Sequence, residues 1–326
     1  MTTVRPKIVT IGGGTGHFTV LSGLKTHPVD LTAVVSMADS GGSTGVLRDE
    51  LGVLPPGDVR QCLVALSDAS ETMRALFTHR FDTGTLKGHT LGNIVLSGLE
   101  QITGSMEHAI EHVGSILKIH GRVLPVSLDP MHLFMKLKNG RVLEGEHAID
   151  AYQHITRFGV AEVGLRSRAS LNPRVRAALK AADLIVIGPG DLYTSLVPPL
   201  LVSGMARALA TSPAKKCFMC PLMNKYGQTD GFTVREYLQA CKTAVGTQVV
   251  TDALCNETMP PKALLRKYLD EGEPCVSTVR ETLGIRVQYR DLLANTGAKR
   301  SRGDVLARSY IRHDPQKLAR AILENL

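Results

Sequence analysis

The chain has no tryptophan, and aromatic residues make up only 4% of its 326 positions. Flat side chains on which unpaired nucleic-acid bases could stack are therefore in short supply. Cysteine is also sparse. Six thiols are scattered along the whole length, far below the density of a disulfide-stapled scaffold, so reduced thiols are expected. No apolar run approaches the roughly 18 residues needed to cross a bilayer. Residues 1–7 lead straight into a strand-like stretch, without the apolar middle segment of a secretory leader. A cytoplasmic protein with no membrane span is the expectation.

What is present is positive charge and apolar core. The net charge is +8 and the isoelectric point is about 9.2. Anionic partners follow, with phosphate compounds, nucleic acid and acidic membranes all open. Nothing beyond the charge supports specific nucleic-acid recognition. Hydrophobic residues reach 43%, enough for a substantial core.

Short apolar runs alternate with helical patterns. Strands are expected at 7–11, 31–36, 122–126, 183–187, 216–220, 247–251 and 285–289. Helices are expected at 17–24, 58–66, 90–102, 106–119, 174–182, 234–243 and 315–326, the 106–119 helix showing Ile110, Val113, Ile116 and Leu117 on its apolar side. This alternation predicts an α/β fold, a Rossmann-like three-layer sandwich with a mostly parallel central sheet. Two short runs around Asn139-Gly140 read instead as a hairpin. A single domain over 1–326 is expected, with an edge subdomain at about 127–172.

The sharpest motif is Gly12-Gly13-Gly14-Thr15-Gly16-His17, set between the first strand and its helix. Glycines there permit close backbone approach, and the helix start presents free N–H groups to an anion. The dinucleotide fingerprint fails because His17 stands at its last glycine, and no Walker lysine follows. The plain alternative is a tight turn. A second loop, Asp39-Ser40-Gly41-Gly42-Ser43-Thr44-Gly45, follows the second strand and emerges on the same edge. Asp39 could hold Mg²⁺ or a ribose hydroxyl. The loop also fits the G-x-S-x-G elbow around Ser43, but an elbow needs a helix directly behind it and Pro55-Pro56-Gly57 lies close by.

Asp58 reads either as a helix N-cap or as a metal ligand, with Arg60 as a phosphate contact. His89 and Asn93 flank the start of the next long helix. Gly188-Pro189-Gly190-Asp191-Leu192-Tyr193-Thr194-Ser195 forms another strand-to-helix junction, a second candidate anion nest holding Gly188, Gly190, Tyr193 and Thr194. Arg312 and His313 precede a helix capped by Asp314 and could close over an anionic ligand. Three further patterns carry less. His108, Glu111 and His112 match an inverted zinc motif without a third ligand, Cys217 and Cys220 form one lone pair, and residues 299–302 are a basic run.

Taken in order, these segments resemble the YvcK/CofD-like family over nearly the whole chain, and the Leu54-Pro55-Pro56-Gly57 segment favours the YvcK branch. The resemblance implies a UDP-sugar-binding regulatory protein, with a UDP-N-acetylglucosamine-like ligand, needed for cell shape and gluconeogenic growth. It implies, as the alternative, a 2-phospho-L-lactate transferase type of enzyme using Mg²⁺ at Asp39 and Asp58. Arg312 falls where the YvcK branch has an arginine associated with UDP-sugar binding. The ligand set so implied is Gly12 to Gly16, Asp39 to Ser43, Arg60, His89, Asn93, the Gly188–Thr194 junction and Arg312. A homo-oligomer is open. Two departures stand out: Ser40 replaces a common second aspartate, and Asp191 replaces a usual serine.

Overall fold

The computed structural model describes residues 5–277, 283–295 and 310–326. The basic run at 299–302 lies outside the described residues. Seven parallel strands form the central sheet. They are β1 (Lys7–Gly12), β2 (Asp30–Val35), β3 (Arg122–Pro125), β7 (Leu184–Ile187), β8 (Lys215–Met219), β9 (Asp252–Asn256) and β10 (Arg286–Arg290). A separate three-stranded antiparallel sheet holds β4 (Leu133–Leu137), β5 (Val142–Glu144) and β6 (Val160–Leu165). It contains the hairpin expected around Asn139-Gly140.

The central order is β10-β9-β8-β7-β1-β2-β3. The chain winds outward from β1 through β2 to β3, then returns to β7 beside β1 and winds the other way. β1 pairs with β2 from Lys7↔Asp30 and with β7 from Ile8↔Leu184. The reversal between β1 and β7 opens a crevice at the carboxyl ends of the strands, where ligands of such sheets bind. The inner strands are apolar on both faces because helices cover both. Ile8, Ile11, Leu184, Ile185, Val186 and Ile187 are fully buried.

The helices that frame the crevice are α1 (Gly14–Leu24), α2 (Gly42–Leu51), α3 (Gly57–Leu66), α4 (Glu71–Thr78), α5 (Leu91–Thr103) and α6 (Met106–Leu117). Several expectations are corrected. α1 begins three residues before the expected start, at Gly14 rather than position 17. α2 follows the second glycine loop directly, although its Gly-Ser-Thr-Gly opening has little helical propensity. The strand expected at 247–251 lies at Asp252–Asn256, so the β-branched run before it is only the approach. Ile116 is 49% exposed and does not join the core face of α6. Glu111, of the zinc-like pattern, accepts from Arg174 at 2.7 Å.

His17 shows why the dinucleotide fingerprint can fail without loss of the fold. Its ring turns into the core, where Nε2 meets the Thr10 hydroxyl at 2.7 Å and Nδ1 meets Cys62 Sγ at 3.6 Å. Burial lowers its pKa to about 4, so it is a neutral tether between α1 and β1. At its other end α1 crosses the final helix, Pro315–Leu323, which starts on Asp314 as expected. A Cβ added at Gly23 would lie 2.0 Å from the Pro315 carbonyl.

Gly23→Ala therefore sets two effects against each other. Helix propensity alone would stabilise by about 1 kcal/mol. Backbone overlap costs about 1–3 kcal/mol and should win, because a carbonyl cannot rotate away as a side chain can. Urea unfolding should show lower stability for the variant, and equal or greater stability would contradict the packing described.

Candidate functional site

Four loops converge at the β1/β7 crevice. Gly13 is the N-cap of α1, and Gly14 takes φ +66°, a left-handed conformation that favours glycine. The neighbours allow no side chains. A Cβ on Gly13 would lie 2.2 Å from an Asp58 oxygen, and one on Gly16 would lie 2.3 Å from the Pro189 carbonyl. The β1 and β7 junctions thus touch backbone to backbone. Ser195 also reaches this mouth, its Oγ lying 3.6 Å from where a Gly14 Cβ would be.

Asp58 is not the N-cap of α3. That position is Pro56, and the Asp58 carboxylate instead accepts from the Gly14 N–H at 3.0 Å. One of the free N–H groups at the start of α1 is therefore already taken. Thr15 and Gly16 N–H, also in the first turn, have no partner among the described residues. Within the Gly12 to Gly16 cradle expected from the sequence, the Gly14 N–H is thus not free for an anion, while Thr15 and Gly16 keep theirs.

Beside this mouth lies an acidic shelf. Asp39 Oδ1 accepts from Gly41 N at 3.0 Å, an Asx turn that shapes the loop before α2. A Cβ on Gly41 would lie 3.6 Å from an Asp39 oxygen and 3.7 Å from a Glu146 oxygen. Burial, followed by repulsion from Asp39, raises the Asp58 pKa to about 7. Burial, followed by repulsion from Asp39 and Asp150, raises Glu146 to about 8. Asp39 is itself raised by burial. Glu146 was not read from the sequence. It opens the helix Glu146–Ala151 in the antiparallel region, and the His147 N–H donates to Ser40 Oγ at 3.0 Å. Ser40 thus fastens the small sheet's helix to the β2 loop.

Four sequence candidates form one chain of hydrogen bonds. Arg60 Nε donates to Asn93 Oδ1 at 2.8 Å, Asn93 Nδ2 donates to Ser43 Oγ at 3.2 Å, and Ser43 Oγ meets His89 Nδ1 at 3.0 Å. Thr90 caps α5 through the Asn93 N–H. Burial, then the Arg80 charge, lowers the Arg60 pKa to about 10, which leaves it a cation at neutral pH. A helix does follow Ser43, yet no carboxylate bonds the His89 ring, so a nucleophilic triad is not assembled among the described residues.

A cavity of about 270 Å³ adjoins the mouth, lined by Thr15, Gly16, Gly190, Lys225, Arg312 and His313 among others. Arg312 has no ion-pair partner among the described residues. Lys225 bridges Asp150 and Asp191, the latter at 2.9 Å. Burial pulls its pKa down, but the two carboxylates outweigh this and hold the ammonium above its usual range. The negative charge that Asp191 adds beside the junction is therefore neutralised locally. His313 is corrected: burial lowers its pKa to about 4, so it is neutral and no cation for an anionic ligand. Tyr193 lines a different groove, between β6 and the helix Val234–Val245, and does not reach this cavity. Thr194 and Gly188 are buried and line neither cavity.

Comparison with known proteins gives the family and the fold. Residues 8–293 match the family described as 2-phospho-L-lactate transferase CofD. The chain belongs to the CofD/YvcK family. It is 41% identical to a putative gluconeogenesis factor of Nostoc over 98% of its length and 68% of the relative's. It is 37% identical to the gluconeogenesis factor of Bacillus subtilis, covering 99% of this chain and 98% of that one. The crystal structure of protein BH3568 from Bacillus halodurans superposes with a TM-score of 0.89 at 36% identity, over 98% of this chain and 100% of that one. In this family member no helix among the described residues is long and apolar enough to cross a membrane.

The acidic shelf has a measurable cost. The folded-state pKa of Asp58, about 7, exceeds the ordinary aspartate value of 3.8, so the folded chain binds the extra proton between these values. Stability is then lost as pH rises toward and through about 7. Asp58→Asn keeps an acceptor for Gly14 N and removes the ionisation. It should abolish about 2–3 kcal/mol of stability loss between pH 5 and pH 8 in denaturant unfolding. An unchanged pH slope would contradict the assignment.

Proposed function

We propose that the chain is a cytoplasmic regulatory protein that binds a nucleoside diphosphate compound of the UDP-sugar class, similar to UDP-N-acetylglucosamine, and acts in gluconeogenic growth and cell shape. The observation that carries this is the junction of two features: Thr15 and Gly16 N–H groups with no partner among the described residues, and a cavity beside them bearing Arg312, which has no ion-pair partner among those residues. The helix start and the guanidinium are complementary to a diphosphate. The gluconeogenesis-factor names of relatives support the physiological setting.

The shelf sets the terms of binding. A diphosphate beside Asp39, Asp58 and Glu146 is repelled unless the carboxyls are protonated or a cation stands between them. Mg²⁺ commonly takes one or two carboxylates together with ligand phosphates. Asp39 and Asp58 would hold it, while no group of three or more possible metal ligands exists among the described residues. Such an ion would neutralise phosphate charge. The same carboxylate pair favours a second reading, Mg²⁺-dependent transfer of a phosphoryl-linked group, the family model being described as a 2-phospho-L-lactate transferase.

Calorimetric titration with UDP-N-acetylglucosamine separates these readings. Without Mg²⁺ the affinity should fall as pH rises from 6 to 9, as Asp58 and Glu146 ionise, and Mg²⁺ should restore it. Arg312→Ala should weaken binding roughly tenfold to a hundredfold, the scale of a lost charged hydrogen bond. No heat of binding at any pH, with or without Mg²⁺, would overturn the proposal. Turnover of the ligand with an added acceptor would replace it by the transferase.

A further inference from the structure

β6 is an edge of the small antiparallel sheet, whose order is β5-β4-β6. Its ladder to β4 shows which backbone groups stay open. Gly164 stands opposite Phe134, and Glu162 opposite Lys136. The Arg166 N–H donates to the His132 carbonyl at 2.9 Å, so the even-numbered residues of β6 are the ones that bond β4. The N–H and C=O groups of Val163 and Leu165 therefore point away from the sheet. They meet no other partner among the described residues. An open edge of this kind is a template for a further strand.

The edge opens into a groove of about 510 Å³. Val160, Ala161, Glu162 and Val163 line it in succession, which a strand does only along its edge, since successive side chains point to opposite faces. The helix Val234–Val245 supplies a second wall through Gln239, Ala240, Thr243 and Ala244, spaced as one helical face. Tyr193, Val197, Leu201 and Phe232 add apolar surface. Tyr193 is 7% exposed, and its hydroxyl has no hydrogen-bond partner among the described residues. Arg166 pairs with Glu144, which leaves the exposed Glu162 without an ion pair among the described residues.

We propose that this groove docks an extended segment of a partner protein, which adds a strand to β6, turns alternate apolar side chains into the groove and sets a lysine or arginine beside Glu162. Main-chain hydrogen bonds to Val163 and Leu165 give the affinity, and the apolar walls and the Glu162 charge give the selectivity. A second folded sheet edge fits less well. Its own next strand would follow about 4.8 Å beyond, on the side where the helix Val234–Val245 stands. A single extended segment brings no such neighbour. The inference does not depend on diphosphate binding, because no residue of the groove lines the cavity beside Thr15 and Gly16.

The test follows the fluorescence anisotropy of a labelled, blocked heptapeptide, Val-Thr-Val-Lys-Val-Thr-Val, titrated with the full chain. Methyl groups on one set of alternate amide nitrogens should abolish binding, and on the other set should be tolerated, because only one edge of an added strand bonds β6. Exchanging the lysine for glutamate should weaken binding roughly twofold to fivefold, the scale of an exposed ion pair. Glu162→Arg, at an exposed position, should reverse that preference. No binding at millimolar concentration, or binding indifferent to both methylation patterns, would overturn the strand addition. A lysine preference that survives in Glu162→Arg would overturn the contact with Glu162. Sedimentation of the free chain closes the remaining alternative: a dimer that Glu162→Arg dissociates would seat a second copy in the groove and overturn the partner segment.

Discussion

Where β1 and β7 part, the first turn of α1 lies so close to the Pro189 carbonyl that Gly16 has no room for a Cβ. This contact joins the two halves of the sheet at the point where strand order reverses. It also fixes which N–H groups are left open. Gly14 faces Asp58, while Thr15 and Gly16 face the cavity. The acidic shelf, the Ser43–His89 chain and the Arg312 wall are all positioned around that one junction.

The electrostatics are unusual for an anion site. Three carboxyls with raised pKa values lie beside a helix start that favours negative charge. Burial is the largest cause in each case, and mutual repulsion adds to it for Asp58 and Glu146. A chain that only needed a rigid turn would have no reason to retain this arrangement. It is intelligible if protons or a cation are exchanged when a charged ligand arrives. Lys225 plays the opposite part, tying Asp150 of the small sheet's helix to Asp191 of the β7 junction.

Much of the fold was legible because its signals are local. Apolar runs such as Ile8 to Ile11 and Leu184 to Ile187 mark strands buried on both faces, and the glycine loops mark their carboxyl ends. Asn139-Gly140 placed the hairpin. Local signals also misled. The β-branched run at 247–251 resembles a strand but precedes one, and Gly42 to Gly45 hides a helix start behind poor helix formers. The candidate site was half legible. Arg60, Asn93, Ser43 and His89 were named separately and form one network. Glu146, Lys225 and the neutrality of His313 depend on contacts between residues far apart in sequence, and only burial in the folded chain reveals them. The Asp58 carboxylate accepts from the start of a distant helix rather than capping its own, a contact that the local sequence does not reveal.

The central claim is that the Thr15 and Gly16 N–H groups are open in the free chain and close on a diphosphate. Amide hydrogen exchange resolved over residues 12–20, with and without saturating UDP, addresses it directly. The account predicts that exchange at Thr15 and Gly16 slows on ligand addition, while Gly14, already bonded to Asp58, changes little. Bound UDP that leaves Thr15 and Gly16 exchanging at their free rates would contradict it.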